Sequence, residues 1–301
     1  MYDDLLLQVK RPGRYLGKEW NVSGKDFENA SFKFALCFPD LYEVGMSNLG
    51  LRIIYGILNS LEGVCCERFF APESDLEDIL RRQNLQLLSL ESRRKLKQFD
   101  IIGFSLSYEL TYTNVLNILE LGGIPLKSEL RNGDFPLVIA GGPCTFNPEP
   151  LHEFFDLFVI GEAEEAILEI VEAYRRRQGS KISKQELLFE LAQIQGVYAP
   201  SFYEARHAPS GHVEEFSPKV EGIPSKINKR YIKDLDASFF PSSWLVPYIQ
   251  IIHDRITLEI TRGCSHSCRF CQARAQYFPY RQRSIENILN LARQTYQRTG
   301  Y

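Results

Sequence analysis

The chain has 301 residues, 44% hydrophobic and 24% charged, and its 38 acidic and 35 basic side chains leave a net charge of −3. That length suits one large domain or two ordinary ones, and the composition excludes disorder and low complexity. The charge balance gives no global argument for a nucleic acid or an anionic membrane as partner. No apolar run approaches the roughly 20 residues that span a bilayer, and the opening "MYDDLLLQVKRPGRYLGKEW" lacks the basic-then-apolar pattern of a signal peptide. Seven cysteines, at 37, 65, 66, 144, 264, 268 and 271, are an odd number without an export signal. A reducing, cytoplasmic compartment is therefore expected, not a disulfide framework.

Residues 1–30 read as an N-terminal arm. From 31 to 195, short apolar runs alternate with longer amphipathic ones. "FKFALCF" (32–38) is a strand ending at Pro39, and "NLGLRIIYGILNSL" (48–61) sets Leu49, Ile53, Ile57 and Leu61 on one helical face. "VCCERFF" (64–70) reads as a second strand, and Cys37 and Cys65 in these runs read as buried structural thiols. The charged stretch "PESDLEDILRRQNLQLLSLESRRKLKQ" (72–98) is expected to be helical cover for the sheet. "DIIGFSL" (100–106), "PLVIAGG" (136–142) and "LFVIGE" (157–162) are further short strands. Between them "YTNVLNILELGG" (112–123) is a helix with a glycine stop. After them "AEEAILEIVEAYRRR" places acids at its start and arginines at its end, as a helix dipole prefers. Glu162, Glu164 and Glu165 are assigned to that helix start.

Buried strands alternating with helices predict an α/β fold, a parallel sheet of the flavodoxin-like doubly wound type with ligands at the strands' carboxyl ends. Residues 196–253, punctuated by proline and rich in aromatics, read as a β-rich connector that wraps the protein. His207 and His212 fall there as surface histidines. "DRITLEI" (254–260) alternates like a strand, and "SIENILNLARQTYQ" (284–297) is a helix capped by Ser284. Residues 254–301 thus read as strand, cysteine loop and helix.

Within that loop, Cys264, Cys268 and Cys271 are separated by three and two residues and can wrap one metal centre. Zinc would need a fourth ligand, and His266 is too close in sequence to Cys264 and Cys268 to close a tetrahedron easily. A [4Fe–4S] cluster accepts three thiolates and keeps one iron free for a ligand.

Cys264-Ser-His-Ser-Cys268-Arg-Phe-Cys271, with Phe270 as its aromatic, resembles the CxxxCxΦC signature of the radical SAM superfamily. The wider text "LEITRGC…CRFCQA…YRQRS" is similar to the branch in which a cobalamin (B12)-binding-type domain precedes the radical SAM barrel. "PDLYEVGMSNLG", "FDIIGFSLSYELTYTNVLNIL" and "VIAGGPCTFNPEPL…DLFVIGEAEEAI" resemble that branch's opening domain. The resemblance covers nearly the whole chain. It departs at Arg274, where the branch usually has glycine, and at Phe278, where arginine is common.

The resemblance implies that Cys264, Cys268 and Cys271 ligate the cluster, whose free iron chelates S-adenosylmethionine for reductive cleavage to a 5′-deoxyadenosyl radical. Arg262 and Gly263 are expected to shape the loop. A flavodoxin or ferredoxin would supply electrons. The resemblance leaves cobalamin open, because "PDLYEVGMSNLG" (39–50) lacks the usual cobalt-ligating histidine. A cobalamin slot would rest on Ser105, Ser107, Gly141 and Gly142.

The radical SAM core is expected to be a (β/α) partial barrel, and six units of ~30 residues need on the order of 180. Residues 254–301 supply the first unit. The expectation is therefore a chain truncated or split early in the barrel, completed by a second chain and unable to cleave S-adenosylmethionine alone. The alternative is a non-catalytic corrinoid-sensing or scaffolding module. Arginines 269, 274, 281, 283, 293 and 298 read as a solvated face, and nucleic acid is unsupported. The sequence names no substrate.

Overall fold

The computed structural model describes residues 2–177, 182–266 and 268–301. The arm begins with α1 (Tyr2–Leu6), whose Leu5 and Leu6 are buried. Six strands then form the main sheet: β1 (Phe32–Phe38), β2 (Val64–Phe70), β3 (Ile101–Ser105), β4 (Leu137–Gly141), β5 (Leu157–Val159) and β6 (Val197–Tyr198). Their order is β2-β1-β3-β4-β5-β6; the first five run parallel and β6 is antiparallel to β5. β2 is buried throughout, and β1 everywhere but Lys33, as parallel strands covered on both faces require.

The connections carry α2 (Tyr42–Gly45), α3 (Leu49–Ser60), α4 (Ser74–Arg82), α5 (Tyr112–Leu121), α6 (Ala163–Arg177) and α7 (Lys184–Leu191). The step from β1 to β2 runs opposite to the later steps, so right-handed crossovers put α3 on one face and α4 and α5 on the other. α6 returns to pack beside α3. On the far face, Arg81 of α4 pairs with Glu120 of α5 at 2.8 Å. The change of direction falls between β1 and β3, where their carboxyl-end loops part and leave a crevice.

Three expectations change here. Only Ser74–Arg82 of the 72–98 stretch is an α-helix. Asn84, at φ 51°, turns the chain out of the helix, and the loop beyond it carries Glu91 back to Arg68 of β2. The connector is less β-rich than expected. Its strands are β6, the hairpin β7 (Tyr203–His207) with β8 (Val213–Pro218), and from Lys219 to Ile260 no further strand forms. That stretch nonetheless wraps: Ile232, Leu235, Phe240, Trp244 and Leu245 are buried, and Arg52 of α3 stacks on Trp244.

The third concerns residues 254–260, which are not a strand. A strand needs a pairing partner: the Ile260 carbonyl accepts from the Arg283 N–H at 2.9 Å, but among the described residues no ladder extends along 254–259. Instead the two-residue β9 (Thr261–Arg262) pairs antiparallel with β10 (Arg281–Gln282) from beyond the cysteines. The start of a partial barrel is therefore not formed as a parallel strand here. Between the two lies α8 (Ala273–Tyr277), and the chain continues into α9 (Ile285–Thr299), capped by Ser284 accepting from the Asn287 N–H. Among the described residues no helix is long and apolar enough to cross a membrane.

Deep under the edge of the sheet, the Arg68 guanidinium is fully buried between Glu19 at 2.8 Å and Glu91 at 2.6 Å. Arg68→Met would strand two buried carboxylates, so denaturant melts should show a loss of about 3–5 kcal/mol. Burial also separates the cysteines: Cys37, Cys65, Cys66 and Cys144 are buried and their thiols titrate above the ordinary range, because burial disfavours the thiolate. Iodoacetamide at pH 7.5 should label Cys264, Cys268 and Cys271 in the native protein and the other four only after unfolding, as read by peptide mass.

Candidate functional site

At the carboxyl ends of β1, β3, β4 and β5 a cavity of about 500 Å3 runs inward between the sheet and helices α3 and α6. Its inner wall is apolar, built from Phe34, Leu36, Ile53 and Ile167, while its outer part is polar. Ser105, Ser107, Gly141 and Gly142 all line it. Asn48 serves two purposes at this rim. Its Oδ1 accepts from the Leu51 N–H and caps α3, while its Nδ2 donates to Ser107 Oγ at 3.3 Å.

The two glycines differ. Gly142 sits at φ 101°, and a Cβ there would stand 2.6 Å from the Leu106 carbonyl oxygen, so the turn requires glycine. A Cβ on Gly141 would meet no atom within 4 Å. Its missing side chain leaves room on the cavity wall, a cradle that any larger residue would fill. Among the described residues no histidine lines the cavity.

The mouth is covered by the segment that carries the cysteines, through Glu259, Arg262, Gln276 and Tyr277. Gln276 Nε2 donates to the Pro143 carbonyl at 3.2 Å, and Lys229 Nζ donates to the Ala275 carbonyl at 2.6 Å. Arg262 is the hub. It reaches Glu164 at 2.7 Å, Glu259 at 2.8 Å and Glu162 at 3.0 Å. Glu162 also takes a fork from Arg281, at 2.7 and 2.8 Å, and accepts the Ile232 N–H. Burial pushes the Glu162 carboxyl up, but the Arg281 hydrogen bonds and the Arg262 charge outweigh it and hold the carboxyl below its ordinary value. For Arg262, burial pulls the other way, yet its carboxylate partners raise it further and keep it charged.

Glu162 and Glu164 therefore do more than start α6, the role assigned from sequence. Arg281 and Arg283 likewise belong to the interior, with side chains 8% and 1% exposed, and not to a solvated basic face. The available signal was positional: an acid after a glycine at the carboxyl end of a strand lies where doubly wound sheets meet ligands. Nothing local joined it to an arginine one hundred residues away.

The cysteine loop grows out of the β9–β10 pair. Gly263, at φ 95°, passes so close beneath the returning chain that a Cβ would stand 2.6 Å from the Tyr277 carbonyl oxygen. Cys264 and Cys271 are half-buried, Cys268 is exposed, and the Cys271 N–H donates to the Cys268 carbonyl at 3.2 Å. Ser267 of the motif lies outside the described residues. Phe270 is 91% exposed, and Arg274 and His266 are exposed as well. Among the described residues no three His, Cys, Asp or Glu side chains converge as a metal site. The three thiols are neighbours along the loop and not a preassembled nest. As a donor set they fit an iron–sulfur centre: three free sulfurs on one loop, with no disulfide among them.

Residues 50–200 match the family model described as radical SAM proteins, N-terminal. An uncharacterised protein of Methanocaldococcus jannaschii is 27% identical over 259 residues, covering 86% of this chain and 45% of that protein. This chain thus spans about half the length of the curated relative it matches. Among solved structures, the radical S-adenosylmethionine methyltransferase TsrM of Kitasatospora setae, with tryptophan substrate and an S-adenosylmethionine analogue bound, aligns at TM-score 0.41. The identity is 15%, over 87% of this chain and 45% of that one. The matched segment runs from the first turn of α3 through β2, β3, β4, β5 and β6, half of the chain, and the chain belongs to the radical SAM proteins, by their N-terminal family.

Proposed function

We propose that this chain is the cluster-bearing front of a radical SAM enzyme, with a corrinoid-type cofactor in the adjoining cavity. Cys264, Cys268 and Cys271 would hold a [4Fe–4S] cluster. When bound, that cluster supplies the electron for reductive cleavage of S-adenosylmethionine, delivered by a flavodoxin- or ferredoxin-like donor. The observation that carries the reading is placement: the segment bearing three free thiols forms the lid of the cavity between sheet, α3 and α6.

The chain's own residues have definable tasks. The apolar inner wall excludes water and suits a flat heterocycle, while Ser105, Ser107 and Asn48 offer hydrogen bonds at the rim. Gly141 leaves the clearance for a ligand to lie against β4. Among the described residues the cavity wall offers a corrinoid no histidine.

Anaerobic incubation with iron and sulfide should give a brown protein whose iron is lost in each of Cys264→Ala, Cys268→Ala and Cys271→Ala. Its reduced EPR signal should shift on adding S-adenosylmethionine. Uptake of zinc in preference to iron would remove the cluster reading. A signal indifferent to S-adenosylmethionine with corrinoid binding retained would favour a sensing or scaffolding module. For the cavity, Gly141→Val should leave the melting curve in place and weaken hydroxocobalamin binding roughly tenfold, about 1.4 kcal/mol. Equal binding by the variant and the unaltered protein would take the corrinoid out of the account.

A further inference from the structure

The cysteine loop is closed at its base by a neck of two residue pairs, Arg262 opposite Arg281 and Thr261 opposite Gln282. Two arginines directly opposite each other on an antiparallel pair repel, and the repulsion is worse where water is excluded. Here both side chains are largely buried, 10% and 8% exposed. Such a neck closes only if a negative charge lies between them. Glu162 supplies it: one oxygen lies 3.0 Å from Arg262 Nη1 and 2.8 Å from Arg281 Nη1, and the other lies 2.7 Å from Arg281 Nη2.

The two arginines are not equally provided for. Arg262 has Glu164 and Glu259 as further acids. Among the described residues Glu162 is the acid that pairs with Arg281, whose other acceptors are the carbonyls of Ile232, Tyr277 and Pro279. Glu162 is itself anchored to the sheet side of the molecule: its N–H donates to the Arg230 carbonyl at 2.9 Å, and it follows Gly161, which bridges to Arg230 in parallel. The carboxylate therefore joins three parts of the chain, namely the end of β5, the connector at 230–232 and both sides of the neck.

We propose that Glu162 is the positioning residue of the cysteine loop, the one carboxylate whose charge lets Arg262 and Arg281 face each other and so sets the loop over the cavity. It touches no cysteine and acts through the two arginines. Because its neighbours Gly161 and Ala163 also line the cavity, a ligand there and the loop's base share one wall. The consequence for a cluster rests on the function proposed above; the closure of the neck does not.

The test is hydrogen–deuterium exchange on the full apo chain, followed by iron retention after reconstitution. Glu162→Gln keeps the shape and removes the charge. Peptides covering 256–262 and 280–284 should exchange about tenfold faster in this variant, with β1 and β4 unchanged. Glu164→Gln leaves the facing pair bridged and should have a much smaller effect on the same peptides. Adding Arg281→Gln to Glu162→Gln removes the repulsion and should restore slow exchange, a rescue that loss of a merely structural carboxylate would not allow. Iron held against a chelator should fall severalfold in Glu162→Gln and recover in the double variant. Unchanged exchange at the neck, or equal acceleration across the whole molecule, overturns the proposal. If the unaltered protein takes up no iron, the cluster reading fails while the exchange measurement still decides the role of Glu162.

Discussion

One carboxylate between two arginines links the end of β5 to both sides of the neck beneath the cysteine loop. On the proposal above, loss of Glu162 leaves Arg281 without its acid and facing Arg262 as a buried like charge, while Arg262 keeps Glu164 and Glu259. Buried ion pairs add little net stability, since desolvation offsets most of their attraction; what they impose is geometry, because losing one partner is costly. The hub of Arg262 with Glu162, Glu164 and Glu259 is of that kind. It specifies where the cysteine segment lies more than it strengthens the fold.

The cavity is the product of that arrangement. Its floor and inner wall come from the doubly crossed sheet and from α3 and α6, its lid from the cysteine segment. The two kinds of residue there have separate origins. Gly142 is dictated by the turn and would be glycine with or without a ligand, whereas Gly141 is not required by any contact and leaves free wall. That contrast makes Gly141 the more informative of the pair about ligand binding.

Much of the sheet was legible in the sequence because parallel strands covered on both faces are continuous apolar runs. The stretches 32–38 and 64–70 are strands over those residues, the apolar spacing of 48–61 gives α3, and the Ser284 cap announces α9. Residues 254–260 alternate as a strand should, but a strand is a pairing, and beyond the Ile260 carbonyl no ladder forms along them among the described residues. The 72–98 stretch looks helical and charged, yet only its first third is α-helix, because Glu91 is drawn to the buried Arg68. The four residues read from the strand ends line the cavity, and the three cysteines were legible as a motif. Glu162 was not, since its arginine partners lie one hundred and more residues away and local sequence carries no trace of them.

Everything functional in this account depends on three sulfurs gripping a single iron–sulfur centre that keeps one iron free. Mössbauer spectroscopy of the protein reconstituted with 57Fe tests this most directly. The account predicts a cubane spectrum in which one iron of the four changes its isomer shift when S-adenosylmethionine is added. A spectrum of isolated tetrahedral iron, or a cubane in which all irons stay equivalent with the cofactor present, would contradict it.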